Sequence, residues 1–254
     1  MRKKKLQTGW PFFNHLSTIV PMQRKGQTKL KAIDFFCGAG GMSLGLSKAG
    51  IKVLAGIDNA IDCRKTYERN IPGSLFIKHD ISTLSAPEIG RRLKIKANDA
   101  SLVFAGCSPC QFWSKIRTDK TKAAQTAFLL KQFEKFIRHF RPGFVVVENV
   151  PGLYTRKKQT FLPDFISFLE RLGYAWDDDV INSNHYGVPQ NRMRYLLIAT
   201  RLVAKITCLH QNDKRLLLAI LGLRMALKLW LGIVIVRFPA YRVSFQLTIF
   251  GVFE

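Results

Sequence analysis

Six short stretches hold residue types whose spacing suits chemistry at a nucleoside cofactor and a reactive ring. The run Asp34-Phe35-Phe36 leads into Cys37-Gly38-Ala39-Gly40-Gly41. Glycines directly after an apolar run let the backbone approach a ligand closely and leave helix N–H groups free for it. Asp58 and Asp80 end the next two apolar runs. An acid at the first position can accept hydrogen bonds from both hydroxyls of a ribose, and one at the second is placed to meet an adenine amino group. Either acid alone also suits a helix N-cap. Three such features on successive strands point to a nucleoside cofactor, and the glycine spacing is not the Gly-x-Gly-x-x-Gly of dinucleotide binders. Gly106-Cys107-Ser108-Pro109-Cys110-Gln111 follows a fourth apolar run. A thiol there can be an activated nucleophile, half of a redox pair, or a structural cysteine, and the residues alone do not separate these. A zinc site would need a second ligand pair, which the other cysteines and the five histidines do not supply. Glu148 ends a fifth apolar run, where a carboxylate is costly without a partner or a task. Arg192 and Arg194 stand two apart on an emerging strand, which turns both to one face.

The elements that must position these residues follow from the pattern. Strands are expected at Lys31–Phe36, Val53–Ile57, Ser74–Ile77, Ser101–Ala105, Phe144–Val147 and Arg194–Thr200. Helices are expected from Met42 to Ala49, from Asp58 to about Asn70, over Gln125–Phe140 and over Phe161–Leu172. Strands alternating with helices, and apolar on both faces, predict an α/β fold: a doubly wound, mostly parallel sheet with helices on both faces. Ligands of such sheets bind beyond the carboxyl ends of the strands, where the candidate residues lie.

Bulk properties narrow the class. The chain has 254 residues, with 40 Lys and Arg against 17 Asp and Glu, for a net charge of +23. That excess suits a polyanionic partner, because cations on phosphates release counterions. A merely basic or ribosome-associated protein has the same composition. Five cysteines, an odd number, fit a reducing, cytoplasmic setting better than a disulfide framework. No apolar segment follows the basic start Met1–Lys5, so no signal peptide is expected. The apolar stretch Leu216–Val236 contains Arg224 and Lys228. Each costs about 2.5–3.5 kcal/mol near a bilayer centre, so a membrane span is not expected there.

Taken in order, Asp34-Phe35-Phe36-Cys37-Gly38-Ala39-Gly40-Gly41, Pro109-Cys110-Gln111, Glu148-Asn149-Val150 and Gln190-Asn191-Arg192-Met193-Arg194 resemble the cytosine-5 DNA methyltransferase family. The resemblance runs from about Leu30 to Thr200. It implies a Rossmann-like fold that uses S-adenosylmethionine and acts on double-stranded DNA after flipping out a cytosine. It implies that Cys110 attacks ring carbon 6 while Glu148 protonates or hydrogen-bonds ring nitrogen 3. Arg192 then holds the cytosine carbonyl and Arg194 supports the pocket. Phe36, Gly38, Gly40, Asp58 and Asp80 match cofactor-contacting positions. Cys107 has no catalytic counterpart and reads as structural, and no metal is implied. A tRNA cytosine methyltransferase shares these motifs, and a non-catalytic nucleic-acid-binding remnant is the other alternative.

Three segments are expected: a basic arm over 1–29, a catalytic core over 30–200 and an atypical tail over 201–254. Family members continue into a target-recognition region and two further motifs. The tail resembles neither, which suggests a truncated or frameshifted product, or a short form completed by a partner subunit; otherwise a monomer is expected. The setting implied is a restriction–modification system or a solitary bacterial methylase, in the nucleoid-associated cytoplasm.

Overall fold

The computed structural model describes residues 30–107, 120–155, 161–186 and 188–206. Seven strands form one sheet: β1 (Lys31–Phe35), β2 (Lys52–Asp58), β3 (Leu75–Lys78), β4 (Leu102–Gly106), β5 (Phe144–Asn149), β6 (Ala175–Asn182) and β7 (Met193–Thr200). Their order is β3-β2-β1-β4-β5-β7-β6. β1 to β5 are mutually parallel, and β7 runs antiparallel to both β5 and β6. The expected fold is present: a mostly parallel α/β sheet flanked by helices.

Alternation along each strand explains the two-sided core. Ile33 and Phe35 of β1, Leu102 and Phe104 of β4, and Val145 and Val147 of β5 join one apolar cluster, which α4 (Lys120–Phe140) and α6 (Leu162–Arg171) cover. Ala32, Val103, Ala105 and Val146 face the other way, under α1 (Gly41–Lys48) and α2 (Arg64–Asn70). Aromatic edges knit the first layer: the Phe35 ring lies 5.1 Å from Phe104 and 5.0 Å from Phe133.

β6 and two short helices were not anticipated from sequence. β6 holds Asp177, Asp178 and Asp179 in a row, with no apolar alternation. It forms because β7 offers a free edge, and the pairing runs from Ala175↔Thr200 to Asn182↔Met193. Tertiary pairing here overrides local propensity. The short helix α3 (Ala86–Leu93) starts at Ser85-Ala86-Pro87 and buries Ile89. The remaining helix, α5 (Gly152–Thr155), is a single turn after β5. No helix among the described residues is long and apolar enough to cross a membrane.

Candidate active site

The parallel ladder places the chemistry at one end of the sheet. Phe35 pairs with Gly106, and Gly106 pairs with Val147. The next residues, Phe36, Cys107 and Glu148, therefore emerge side by side at the carboxyl ends of three adjacent strands. Glu148 lies opposite Leu196 of β7, so Arg194 is its diagonal neighbour on the same face. The contact is made: Arg194 Nε stands 3.0 Å from Glu148 Oε1. A pocket of about 150 Å³ opens between Asp34, Phe36, Cys37, Gly41, Met42, Cys107, Glu148 and Arg192. A space of that size holds one six-membered ring.

Electrostatics give the two acids and the thiol distinct characters. Burial raises the Glu148 carboxyl above the usual range, against the pull of Arg194, a hydrogen bond from the Cys107 thiol, and Arg192. A carboxyl so placed holds a proton at higher pH than an exposed one, which suits donation to a ring nitrogen. Burial pushes the Cys107 thiol well up, and the carboxylates of Glu148 and Asp34 push it further. Cys107 is thereby a neutral hydrogen-bond donor to Glu148, and the wrong environment for a thiolate nucleophile. Arg192 is lowered first by burial and then by Arg194, with Glu148 opposing. Cys110 falls outside the described residues, so its thiol has no stated position.

The glycine turn packs as its residue types demand. Phe36 has φ 61 and Gly40 φ 91. A Cβ on Gly40 would meet Ile71 Cδ1 at 2.5 Å, whereas one on Gly38 (φ +49) would meet nothing within 4 Å. Gly38 thus borders open space beside the strand ends. Its N–H donates to Asp58 Oδ2 at 2.8 Å, while Ala60 N–H donates to Asp58 Oδ1 at 2.9 Å. Asp80 is exposed and accepts from Ser82 N–H at 2.8 Å; these Ser82 hydrogen bonds hold its carboxyl below the usual range. The structure brings Phe36, Glu148 and Arg192 to one pocket, with Arg194 held on Glu148. Gly38 and Asp58 are joined beside it, and Asp80 stands apart at the exposed end of β3.

Asp34, part of the first motif but given no role from sequence, lines the pocket. Asp34 is fully buried, with Oδ2 accepting from Ser43 N–H at 3.0 Å and from Ser43 Oγ at 2.7 Å. Ser43 Oγ meets the Tyr67 hydroxyl at 3.2 Å, and Tyr67 meets Ser74 Oγ at 2.8 Å. Because the Ser43 proton goes to Asp34, the chain of hydroxyls points toward the carboxylate. Asp34 Oδ1 has no hydrogen-bond partner among the described residues. An acid inside the apolar run Ala32-Ile33-Asp34-Phe35 was the available signal.

Burial raises Asp34 from 3.8 to about 7, with Asp58 and Glu148 adding to the rise. A carboxyl raised on folding contributes stability below its unfolded value and loses it as pH climbs through the folded one. The loss amounts to about 4 kcal/mol. Asp34→Asn should therefore gain on wild type in urea-unfolding midpoint between about pH 4 and pH 7, and then level off. A wild type that gains on the variant over this range would refute the assignment.

Comparison with known proteins agrees with this arrangement. The profile of the C-5 cytosine-specific DNA methylase family matches residues 30–217. The Type II methylase M.HgiDII of Herpetosiphon aurantiacus is 37% identical over 169 residues, which are 66% of this chain and 46% of that protein. The Type II methyltransferase M1.HphI of Haemophilus parahaemolyticus is 33% identical, covering 70% of this chain and 48% of the relative. The chain spans about half the length of the curated relatives it matches. Among solved structures, a DNA modification methyltransferase encoded within an E. coli prophage, described as putative, superposes with a TM-score of 0.57 at 29% identity. That match covers 68% of this chain and 47% of the other. S. pombe Dnmt2 methyltransferase shares the fold with a TM-score of 0.55 at 20% identity, covering 74% of this chain and 57% of its own. With the family profile spanning residues 30–217, most of the chain, the protein belongs to the C-5 cytosine-specific DNA methylase family.

Proposed function

We propose that this chain transfers a methyl group from S-adenosylmethionine to carbon 5 of a cytosine flipped out of duplex DNA. The observation that carries this reading is the largely buried Glu148 carboxyl, raised above its ordinary range and held by Arg194 at 3.0 Å, at the wall of a ring-sized pocket. Glu148 donates its proton to ring nitrogen 3, so charge can leave the ring as the Cys110 thiolate adds to carbon 6. Carbon 5 thereby becomes nucleophilic. Arg192, which lines the same pocket, holds the ring carbonyl and Arg194 keeps Glu148 in place. Once carbon 5 has bonded to the methyl carbon and the methyl–sulfonium bond has broken, a base takes the proton from carbon 5. The carbon 6–sulfur bond then breaks to return the Cys110 thiolate, and nitrogen 3 gives its proton back to Glu148.

S-adenosylmethionine supplies a methyl group on a sulfonium, and the residues present suit it. Gly38 borders open space next to Asp58, and Phe36 lines the pocket. Beside them, Asp34 Oδ1 is a buried acceptor without a partner among the described residues. In this reading Phe36, Gly38, Gly40, Asp58 and Asp80 hold the nucleoside part. Relatives named as Type II methylases favour DNA and a restriction–modification setting over tRNA.

Incubation with methyl-labelled S-adenosylmethionine tests the substrate. Label is expected in 5-methylcytosine recovered from mixed-sequence duplex DNA and not from tRNA. Label confined to tRNA would overturn the DNA assignment. Label in neither, while an intact relative methylates in parallel, would show that the chain lacks the activity by itself.

A further inference from the structure

Opposite the pocket lies a face of very different charge. β1, β2 and β4 are parallel, so their amino ends share one edge of the sheet, and the helices that return between them end there too. Lys48 ends α1 and Lys52 begins β2. Four of the six residues 91–96 are cationic: Arg91, Arg92, Lys94 and Lys96. All six of these side chains are exposed, and none has an ion pair among the described residues. Glu88 shares α3 with Arg91 and Arg92 but has no ion pair among the described residues. Asp99, three residues after Lys96, is already paired with Lys31 at 2.7 Å. The acidic run Asp177–Asp179 lies on β6, at the far edge of the sheet.

Cations at helix ends complement the helix dipole, which accounts for Lys48, Arg91 and Arg92. Lys94, the C-cap of α3, falls under the same account, but Lys52 and Lys96 lie beyond the helix ends and do not. Unpaired cations at this density repel one another, a cost that a polyanion removes.

We propose that this strand-amino end is a second nucleic-acid surface, binding the phosphate backbone of duplex DNA without regard to sequence and away from the methyl-transfer pocket. Each cation on a phosphate releases counterions, so the affinity is salt-dependent and the surface can hold a second DNA segment while the pocket searches the first. The proposal stands whether or not Cys110 is catalytic.

The test uses the full chain and an alternating dA·dT duplex, which offers the pocket no cytosine. The triple variant R91E, R92E and K96E should bind at least about tenfold more weakly near 0.1 M salt. Its plot of log affinity against log salt should be shallower by about 2.7, or about 0.9 per lost phosphate contact. The control K65E, K78E and K135E changes the net charge equally at exposed sites elsewhere, and its slope should move by less than about one. Cys110→Ala should bind like wild type. The milder R91Q, R92Q and K96Q set keeps the test usable should the reversal disturb folding. Equal losses in variant and control, or an unchanged slope in the variant, would overturn the proposal. Tighter binding of duplex RNA, lost in the same variant, would reassign the surface to RNA.

Discussion

A duplex carrying 5-fluorocytosine should become covalently joined to the wild-type chain in the presence of S-adenosylmethionine, and not to Cys110→Ala. The bond at issue is the one between the Cys110 sulfur and ring carbon 6. In the normal cycle it breaks when the proton on carbon 5 is removed. Fluorine cannot leave as a proton, so the thioether persists and the complex survives denaturing electrophoresis. Removing the thiol removes the only atom of that side chain able to form the bond.

Glu148→Gln should lower methyl transfer by about 10²–10⁴ while leaving the protein folded. The amide fills the same volume and can still meet Arg194, but it has no acidic proton to give. Burial raises the Glu148 carboxyl while Arg194 opposes that rise. The wild-type rate should fall with rising pH as this proton is lost, and the glutamine variant should lack that fall. Adduct formation in Cys110→Ala would sink the assignment of the nucleophile. No adduct with wild type, while an intact relative traps in parallel, would mean that the chain does not complete the attack unaided.

The second large effect concerns stability. A Cβ on Gly143 would lie inside van der Waals contact with the Ala100 carbonyl oxygen, 2.7 Å from its carbon and 3.1 Å from its Cα. These are backbone atoms at the start of β4 and β5, and Gly143 O also accepts from Thr200 Oγ1 at 2.8 Å. Neither side can give without breaking the ladder, so Gly143→Ala should cost about 3 kcal/mol or more. The expected fall in Tm is about 10 °C. Gly73→Ala is the contrast. Gly73 has φ +84 and nothing within 4 Å of a built Cβ, so only left-handed backbone strain is added, about 1–2 kcal/mol. Calorimetry of the two variants should rank Gly143→Ala as clearly the worse. The opposite order would mean that the β4 and β5 starts are softer than they pack here.

Much of this protein is legible in its sequence. The apolar runs of β1, β2, β4 and β5 are buried on both faces, so nothing in their local pattern competes with the strand reading. The motif residues sit at their carboxyl ends because turn chemistry and strand ends are local facts. β6 was not legible, since three consecutive aspartates have no strand signal until β7 supplies hydrogen-bond partners. The antiparallel course of β7 was hidden for the same reason: strand direction is a property of the pair.

The site divides in the same way. Residue type and order along the chain determined the family, the fold class and the candidates Glu148, Arg192 and Arg194. Only tertiary structure decided how they act on one another. Register sets Cys107 beside Glu148, which makes that thiol a neutral donor and argues against the nucleophile among the three roles that spacing left open. Register also sets Arg194 on Glu148 and buries Asp34 where one oxygen lacks a partner among the described residues. The physical reason is desolvation: a carboxyl or thiol acquires its acidity from the groups and water around it, and those neighbours come from strands far apart in the chain.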